Sequence, residues 1–421
     1  MPLHRWKAAR LVVAAAVALT AVAAAPAASA APATSSPAPS SPTAGLPRPD
    51  DDPFYAVPSR LGAKPDGAVL RSRRLPADAL AVPAPAEVWQ LLYKTRDNDG
   101  RATATVATLL VPTAPWTGGG PRPLLSYQTP EDGLATFCAP SYVLRSGAAV
   151  SPLAERQAGF DREQVAAAVR RGWAVVVPDY EGPKSQFLGA SAAAHGVLDG
   201  IRAARSFGPA RVHRQAPIGL WGYSGGGFAT ASAAQKQSGY APELRISGIA
   251  QGGVITDLNA SLRAVGEQSS GGWLLFGLAA LRGAYPKAGV DRYLTASARA
   301  QADAVAHGCL GDAILSHPAP ATLERFEAWP GSLTSGSFER FAHAVSPLGF
   351  GGTPTAPVYM YHATGDELLP VAGARRLAAQ YRERGAEVVL VEDAAQDHSS
   401  EQSHGVPGAI AFLTQRFTQS K

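Results

Sequence analysis

Short apolar runs alternate with stretches of helical period along most of this chain, and that alternation predicts its elements. Val88–Tyr93 and Ala102–Val111 read as adjacent strands joined by the turn residues Asn98-Asp99-Gly100. Leu124–Gln128 is a further strand. Gln164–Arg171 reads as a helix ending at Gly172, and Trp173–Val177 as a buried strand stopped by Pro178. The alternation continues with a helix over Gly196–Arg205, a strand over Ile218–Trp221, a helix over Phe228–Gln237 and a strand over Ile246–Ala250. Regular alternation is then lost over approximately 256–350, where helical pieces such as Trp273–Leu281 and Ala296–Ala306 occur. It returns with the strand Val358–His362, the helix Ala372–Arg384, the strand Glu387–Val391 and a final helix over Pro407–Phe417. Strands alternating with helices in this way predict an α/β fold, a mostly parallel sheet with helices on both faces. The irregular segment is expected to be a helical cap inserted into it.

The ends of the chain follow a different pattern. Arg5, Lys7 and Arg10 precede the apolar run Leu11–Ala25, and Ala28-Ser29-Ala30 has the small-x-small form of a cleavage site. Residues 1–30 are therefore expected to be a secretory signal peptide. A membrane anchor is the alternative, but the run is shorter than the roughly 20 apolar residues that a span needs. Residues 31–52 are rich in Ala, Pro, Ser and Thr and end in Asp50-Asp51-Asp52, a composition expected to give an exposed, disordered tether. The catalytic domain is then expected over 53–421.

Charge and cysteine content change meaning once the leader is set aside. The 421 residues carry a formal charge of +5, but loss of Arg5, Lys7 and Arg10 leaves +2. The densest basic run remaining, Arg71-Ser72-Arg73-Arg74, has no interleaved aromatics and is expected to be a solvated loop, so no nucleic-acid partner is implied. With 46% hydrophobic and 17% charged residues, the chain can bury a large core. Two cysteines, Cys138 and Cys309, are too few for a disulfide-built scaffold or a four-cysteine zinc site. Export favours their pairing, with two separate buried thiols as the alternative.

The segment Ile218–Phe228 carries the most specific chemistry. Gly222-Tyr223-Ser224-Gly225-Gly226 has the form G-x-S-x-G, with an apolar strand before it and a small-residue helix after it. That context is the strand-to-helix turn that exposes a nucleophilic serine in an α/β-hydrolase. Glycine at the flanking positions removes side chains that the tight turn cannot hold. The Gly225 N–H, opening the next helix, is placed to meet a developing oxyanion. A glycine-rich turn without chemistry is the alternative.

A serine nucleophile needs a base and an orienting acid, expected in the order Ser, acid, His after later strands. His307, His317 and His343 fall in the expected cap, and His362 lies within a strand or at its edge. His398 and His404 both fall in the expected loop between the last strand and the last helix, and position alone leaves both open. For the acid, Asp366 follows the strand Val358–Tyr361, with Glu367, Asp393 and Asp397 as rivals. Asp179 precedes the nucleophile and reads as a structural loop residue. No histidine pair has H-x-x-x-H or H-E-x-x-H spacing, so neither metal nor cofactor is implied.

Several separated segments then resemble the secretory lipase family of fungi and actinomycetes, the Candida lipase A-type enzymes. They are Ser126–Asp132, Cys138–Tyr142, Asp179–Gly182, Leu198–Ala203, Gly222–Gly226, Tyr240–Leu244 and Asp366–Pro370, spread over about Leu124 to Phe417. The resemblance implies Ser224 as nucleophile, Asp366 as acid and His398 as base, the last fixed by its distance from Gly405-Val406-Pro407. It implies Asp132 as second oxyanion donor beside Gly225, and a Cys138–Cys309 bridge between core and cap. It further implies a secreted monomeric lipase acting on acylglycerols, with a short-chain or broad esterase as alternative. The partner is then a small-molecule or lipid ester, with no stable membrane anchor. The family's C-terminal flap and second disulfide have no counterpart within these 421 residues. A serine peptidase of the same fold is a further alternative, though nothing in the cap marks an anchor for a peptide terminus. The cap segment Gly271–Leu281 could line an acyl tunnel or simply be a buried helix.

Overall fold

Strands that are apolar at every position can be buried on both faces, and such runs form the middle of the sheet. The computed structural model describes residues 45–419, apart from residue 269. Among them, nine strands make one sheet: β1 Val69–Leu75, β2 Ala86–Arg96, β3 Ala102–Pro112, β4 Leu124–Gln128, β5 Ala174–Pro178, β6 Ile218–Tyr223, β7 Ile246–Gly252, β8 Val358–Ala363 and β9 Val388–Asp393. Their spatial order is β1-β2-β3-β5-β4-β6-β7-β8-β9. Pairing is antiparallel from β1 to β5, then parallel from β5 through β4, β6, β7, β8 and β9. The mostly parallel α/β-hydrolase sheet expected from the sequence is present.

The two-residue period of a strand divides each apolar run between two cores. Leu124, Val176 and Leu220 belong to one, whereas Leu125, Val175, Val177 and Trp221 belong to the other. Helices cover both faces in chain order. Apart from the four-residue helical turns Pro140–Val143 and Pro347–Phe350, the first three are α1 Pro152–Arg170, α2 Ala190–Ser206 and α3 Gly225–Tyr240. The interval between β7 and β8 holds α4 Leu258–Gln268, α5 Gly271–Ala284, α6 Ala296–Val305, α7 Leu310–Ser316 and α8 Gly336–Ala344. The chain ends with α9 Val371–Glu383, α10 His398–His404 and α11 Val406–Gln419. Helices α4 to α8 have their own apolar cluster, including Leu274, Leu278, Phe326 and Phe338, which also takes in Phe187 and Phe228 from the sheet side.

The segment between β7 and β8 is fastened next to the carboxyl edge of the sheet. Cys138 and Cys309 form a disulfide, and Gly133 pairs with Cys309 in an isolated antiparallel bridge. Leu310 N–H donates to the Asp132 carbonyl at 3.0 Å, and Leu134 N–H to the Gly308 carbonyl at 3.0 Å. The loop after β4 and the start of α7 therefore hold each other.

Two expectations are corrected. Arg71-Ser72-Arg73-Arg74 lies within edge strand β1, not in a solvated loop: Arg73 pairs with Asp52 at 2.6 Å and donates to the Gln90 side-chain oxygen Oε1 at 2.8 Å. Charged side chains suit a sheet edge, which is why the run lacks an apolar signature. The expected tether over 31–52 does not extend to its end. Pro49 is buried, and Asp50 accepts from the Thr136 hydroxyl at 2.7 Å. The expected signal peptide lies outside the described residues.

Candidate active site

The turn between β6 and α3 explains its own glycines. A Cβ at residue 222 would come within 2.2 Å of the Gly226 carbonyl oxygen, and one at residue 226 within 2.0 Å of the Gln128 carbonyl oxygen. Only hydrogen fits at either place, so the backbone can turn sharply enough to leave Ser224 at the apex. Ser224 adopts φ 54, a conformation that costs a non-glycine residue on the order of 1–3 kcal/mol. Its N–H donates to the Gly252 carbonyl at 3.0 Å, which ties the turn to the end of β7.

Two later strand ends deliver the remaining polar groups. Asp366 follows β8, and its Oδ1 accepts from the Leu368 and Leu369 N–H groups at 3.0 and 2.7 Å. Its Oδ2 lies 2.8 Å from His398 Nδ1, and His398 Nε2 lies 2.9 Å from Ser224 Oγ. Burial pushes the Asp366 carboxyl up, but the His398 charge, the hydrogen bond from His398, the His362 charge and the Leu369 N–H outweigh it and hold the group below its ordinary value. Burial lowers His398 as well, and the Asp366 charge and hydrogen bond reverse this, so the imidazole is raised above its ordinary value. Tyr223 hydroxyl donates to the His398 carbonyl at 2.6 Å, and Glu367 Oε2 accepts the His398 N–H at 3.1 Å.

The structure thus brings Ser224, His398 and Asp366 into one chain of contacts and separates their rivals from it. Glu367 meets only the backbone of His398. Asp397 caps α10 by accepting from the Ser400 N–H at 2.8 Å. Asp393 pairs with His404 at 2.6 Å. Asp179 is structural, accepting from the Ser141 N–H at 2.8 Å and the Ser141 hydroxyl at 2.5 Å. His398 and His404 do not lie in a loop, as expected, but at opposite ends of α10. His362 is buried in β8 and does more than fill a core: its Nε2 sits 2.7 Å from the Leu369 carbonyl and 3.3 Å from Asp366 Oδ2. Sequence reasoning missed that contact, although the four-residue spacing from His362 to Asp366 was visible.

Asp132 lies across the turn from Ser224. Its φ is 41, and its Oδ1 is buried without a hydrogen-bond partner. That oxygen would lie 1.9 Å from a Cβ on residue 225, so glycine there lets the carboxyl pack directly on the start of α3. Burial pushes the Asp132 carboxyl up to about 7, with the His398 charge acting against it. The Gly225 N–H is the first of the helix and belongs to the set that has no intrahelical acceptor.

Two clefts meet at Ser224. One is an apolar slot of about 60 Å³ lined by Phe187, Ile255, Leu258, Leu262, Phe276 and Gly277. The other is wider, about 310 Å³, and mixes Phe160 and Ile314 with Glu131, Arg156, Gln157 and Gln402. Trp273 and Leu310 line both. In helix α5, Trp273, Phe276 and Gly277 line the slot, while Leu274, Leu278 and Leu281 belong to the apolar core. Among the described residues, no helix is long and apolar enough to cross a membrane.

Comparison with known proteins gives a consistent outcome. The family model described as secretory lipase matches residues 148–421. A Mycobacterium tuberculosis protein named probable inactive lipase is 34% identical over 388 residues, covering 88% of this chain and 82% of that protein. A secreted triacylglycerol lipase of Malassezia furfur is 30% identical over 392 residues, covering 88% and 80%. Among solved structures, Candida antarctica lipase A in its closed state superposes with a TM-score of 0.81 at 27% identity, covering 90% of this chain and 88% of that one.

Proposed function

This chain belongs to the secretory lipase family, and from that premise we propose that it is an exported serine hydrolase of lipid esters, most simply a triacylglycerol lipase. The observation that carries the proposal is the continuous contact Asp366 Oδ2–His398 Nδ1 and His398 Nε2–Ser224 Oγ, at 2.8 and 2.9 Å. In the proposed reaction His398 takes the Ser224 proton as the oxygen attacks the ester carbonyl, forming a tetrahedral oxyanion. Asp366 holds the imidazole in the tautomer that leaves Nε2 free to accept. Gly225 N–H and Asp132 face the oxyanion, and collapse gives an acyl-enzyme and releases the alcohol. His398 then activates the water that frees the acid. Of these five residues, Asp366 and His398 come from segments after β7, whereas Asp132, Ser224 and Gly225 come from segments before it. The mycobacterial relative is named a probable inactive lipase; in this chain the three reacting groups are in contact, which supports turnover.

The same geometry gives the reaction a pH signature. His398 is raised above 6.5, so lowering the pH through that raised value protonates Nε2 and removes the base. Asp132 can donate to an oxyanion only as the carboxylic acid, which exists below about 7 and is lost above it. kcat/KM should therefore fall on the acid side as His398 becomes protonated and on the alkaline side above about 7 as Asp132 ionises. Asp132→Asn supplies an N–H donor at every pH, so its profile should lose the alkaline limb. Asp132→Ala should lose about 10²–10³ in kcat. An alkaline limb unchanged in Asp132→Asn would remove the Asp132 side chain from the oxyanion site.

A second reading, a short-chain esterase, rests on the slot. At about 60 Å³ it is the narrower of the two clefts that meet at Ser224, against about 310 Å³ for the other. A slot this narrow, lined by Leu258 and Leu262 of α4 and Phe276 of α5, favours a short acyl group over a long one. Rates on p-nitrophenyl esters from acetate to palmitate, with triolein emulsion alongside, separate the two. The lipase reading expects attack on triolein and a maximum at medium or long acyl chains. A maximum at acetate or butyrate without triolein hydrolysis would establish the esterase instead.

A further inference from the structure

Helix α10 carries His398 at its first position and His404 at its last, and the turn between them holds Glu401. The Glu401 side chain is 3% exposed, yet its Oε2 is buried with no hydrogen-bond partner. That oxygen points toward the end of the helix and lies 4.0 Å from His404 Nδ1. Asp393, the last residue of β9, reaches the same nitrogen with Oδ2 at 2.6 Å. One ligand atom from each of the three residues lies within 4.8 Å of the others. The Asp393 backbone and side chain are themselves fixed: its carbonyl accepts from Thr364 N–H at 2.7 Å, and its Oδ1 from Ala395 N–H at 2.8 Å.

Two carboxylates converge here on a single imidazole, and one of them is buried without a donor. An unsatisfied buried carboxylate is costly, and one imidazole can offer a proton to only one of the two. A cation placed among all three would remove that deficit.

We propose that Asp393, Glu401 and His404 bind a divalent first-row transition cation such as Zn²⁺ or Mn²⁺. One nitrogen and two carboxylate oxygens suit such an ion, whereas Ca²⁺ takes six to eight oxygens. His404 is 61% exposed at its side chain, which leaves the remaining coordination positions open to water. On binding, the ion replaces the hydrogen bond between Asp393 and His404: the neutral imidazole carries its proton on Nε2 and offers its Nδ1 lone pair to the metal, beside the two carboxylate oxygens. The bound ion joins the end of β9 to the far end of the helix that presents His398. Its role is to hold α10, and the binding does not depend on the ester-hydrolase reading. The spacing Glu401-x-x-His404 sets both ligands on one face of a helix, a pairing outside the two-histidine patterns considered in the sequence.

Isothermal titration of the tag-free chain with ZnCl₂ tests this. One saturable Zn²⁺ per chain is expected, with a rise in thermal midpoint on binding. Asp393→Asn and His404→Ala alter half-buried and exposed positions, and each should weaken binding by at least about tenfold. Their midpoints in metal-free buffer verify folding, and Glu401→Gln provides a third, near-isosteric variant. Absence of a saturable site, or equal affinity in Asp393→Asn and His404→Ala, would overturn the proposal. Saturation by Ca²⁺ at lower concentration than Zn²⁺ would overturn the chemical class assigned to the ion.

Discussion

Replacing Ser224 by alanine should lower kcat for a p-nitrophenyl ester by about a millionfold, with little change in thermal stability. The magnitude is that of losing the nucleophile from a serine–histidine–acid unit, where a single deletion removes almost all of the unit's effect. The structure separates this effect from folding. Ser224 Oγ contacts His398 Nε2 at 2.9 Å, whereas the turn is held by backbone bonds that alanine keeps, Ser224 N–H to Gly252 and Phe228 N–H to the Ser224 carbonyl. Alanine at φ 54 carries the same strain as serine. Initial rates and a thermal melt on both proteins check the prediction. Activity within tenfold of the parent would show that another group performs the attack.

Asp366→Asn should cost about 10⁴ in kcat while the protein stays folded. The reason is orientation. Oδ1 is fixed as an acceptor by the Leu368 and Leu369 N–H groups, so the asparagine carbonyl must take that place. Its NH₂ group then faces His398 Nδ1, where it requires an acceptor. The imidazole is driven into the tautomer that carries its proton on Nε2, and it can no longer accept from Ser224. Glu367→Gln makes the comparison, because its carbonyl can still take the His398 N–H at the position of Oε2. Its loss should be far smaller. Comparable losses in the two variants would assign the orienting role to Glu367 or share it between the pair.

Much of this site could be read from the sequence because its chemistry sits at ends of elements with strong patterns. Runs such as Ala174–Pro178 and Ile218–Tyr223 are buried at every position, and that leaves an unmistakable apolar signal. The glycines around Ser224 are required by contacts with backbone atoms, so the motif is written into the chain. Other features left weaker traces. Strand β1 is an edge strand whose arginines turn to solvent or to Asp52, so it reads as a loop. The first part of α1, before Gln164, escaped notice because its buried positions include Asp161 and Arg162. Helix α10 has an almost wholly polar sequence, and its start is set by the Asp397 cap rather than by an apolar stripe. The choice between His398 and His404 depended on that helix: seven residues place its two ends on different partners, Ser224 and Asp393. The contact of His362 with Asp366 likewise depends on how β8 turns into its loop, which side-chain pattern does not encode.

The central claim is that Ser224 forms a covalent intermediate under the control of His398. A p-nitrophenyl alkylphosphonate, which places a phosphorus atom where the ester carbon would sit, tests it most directly when followed by mass spectrometry of the digested protein. The account predicts one phosphonyl group per chain, located on the peptide that contains Ser224, with p-nitrophenol released in equal amount. It also predicts no adduct on Ser224→Ala and a rate of labelling that collapses in His398→Ala. Labelling at another residue, or unlabelled protein after complete exposure, would contradict it.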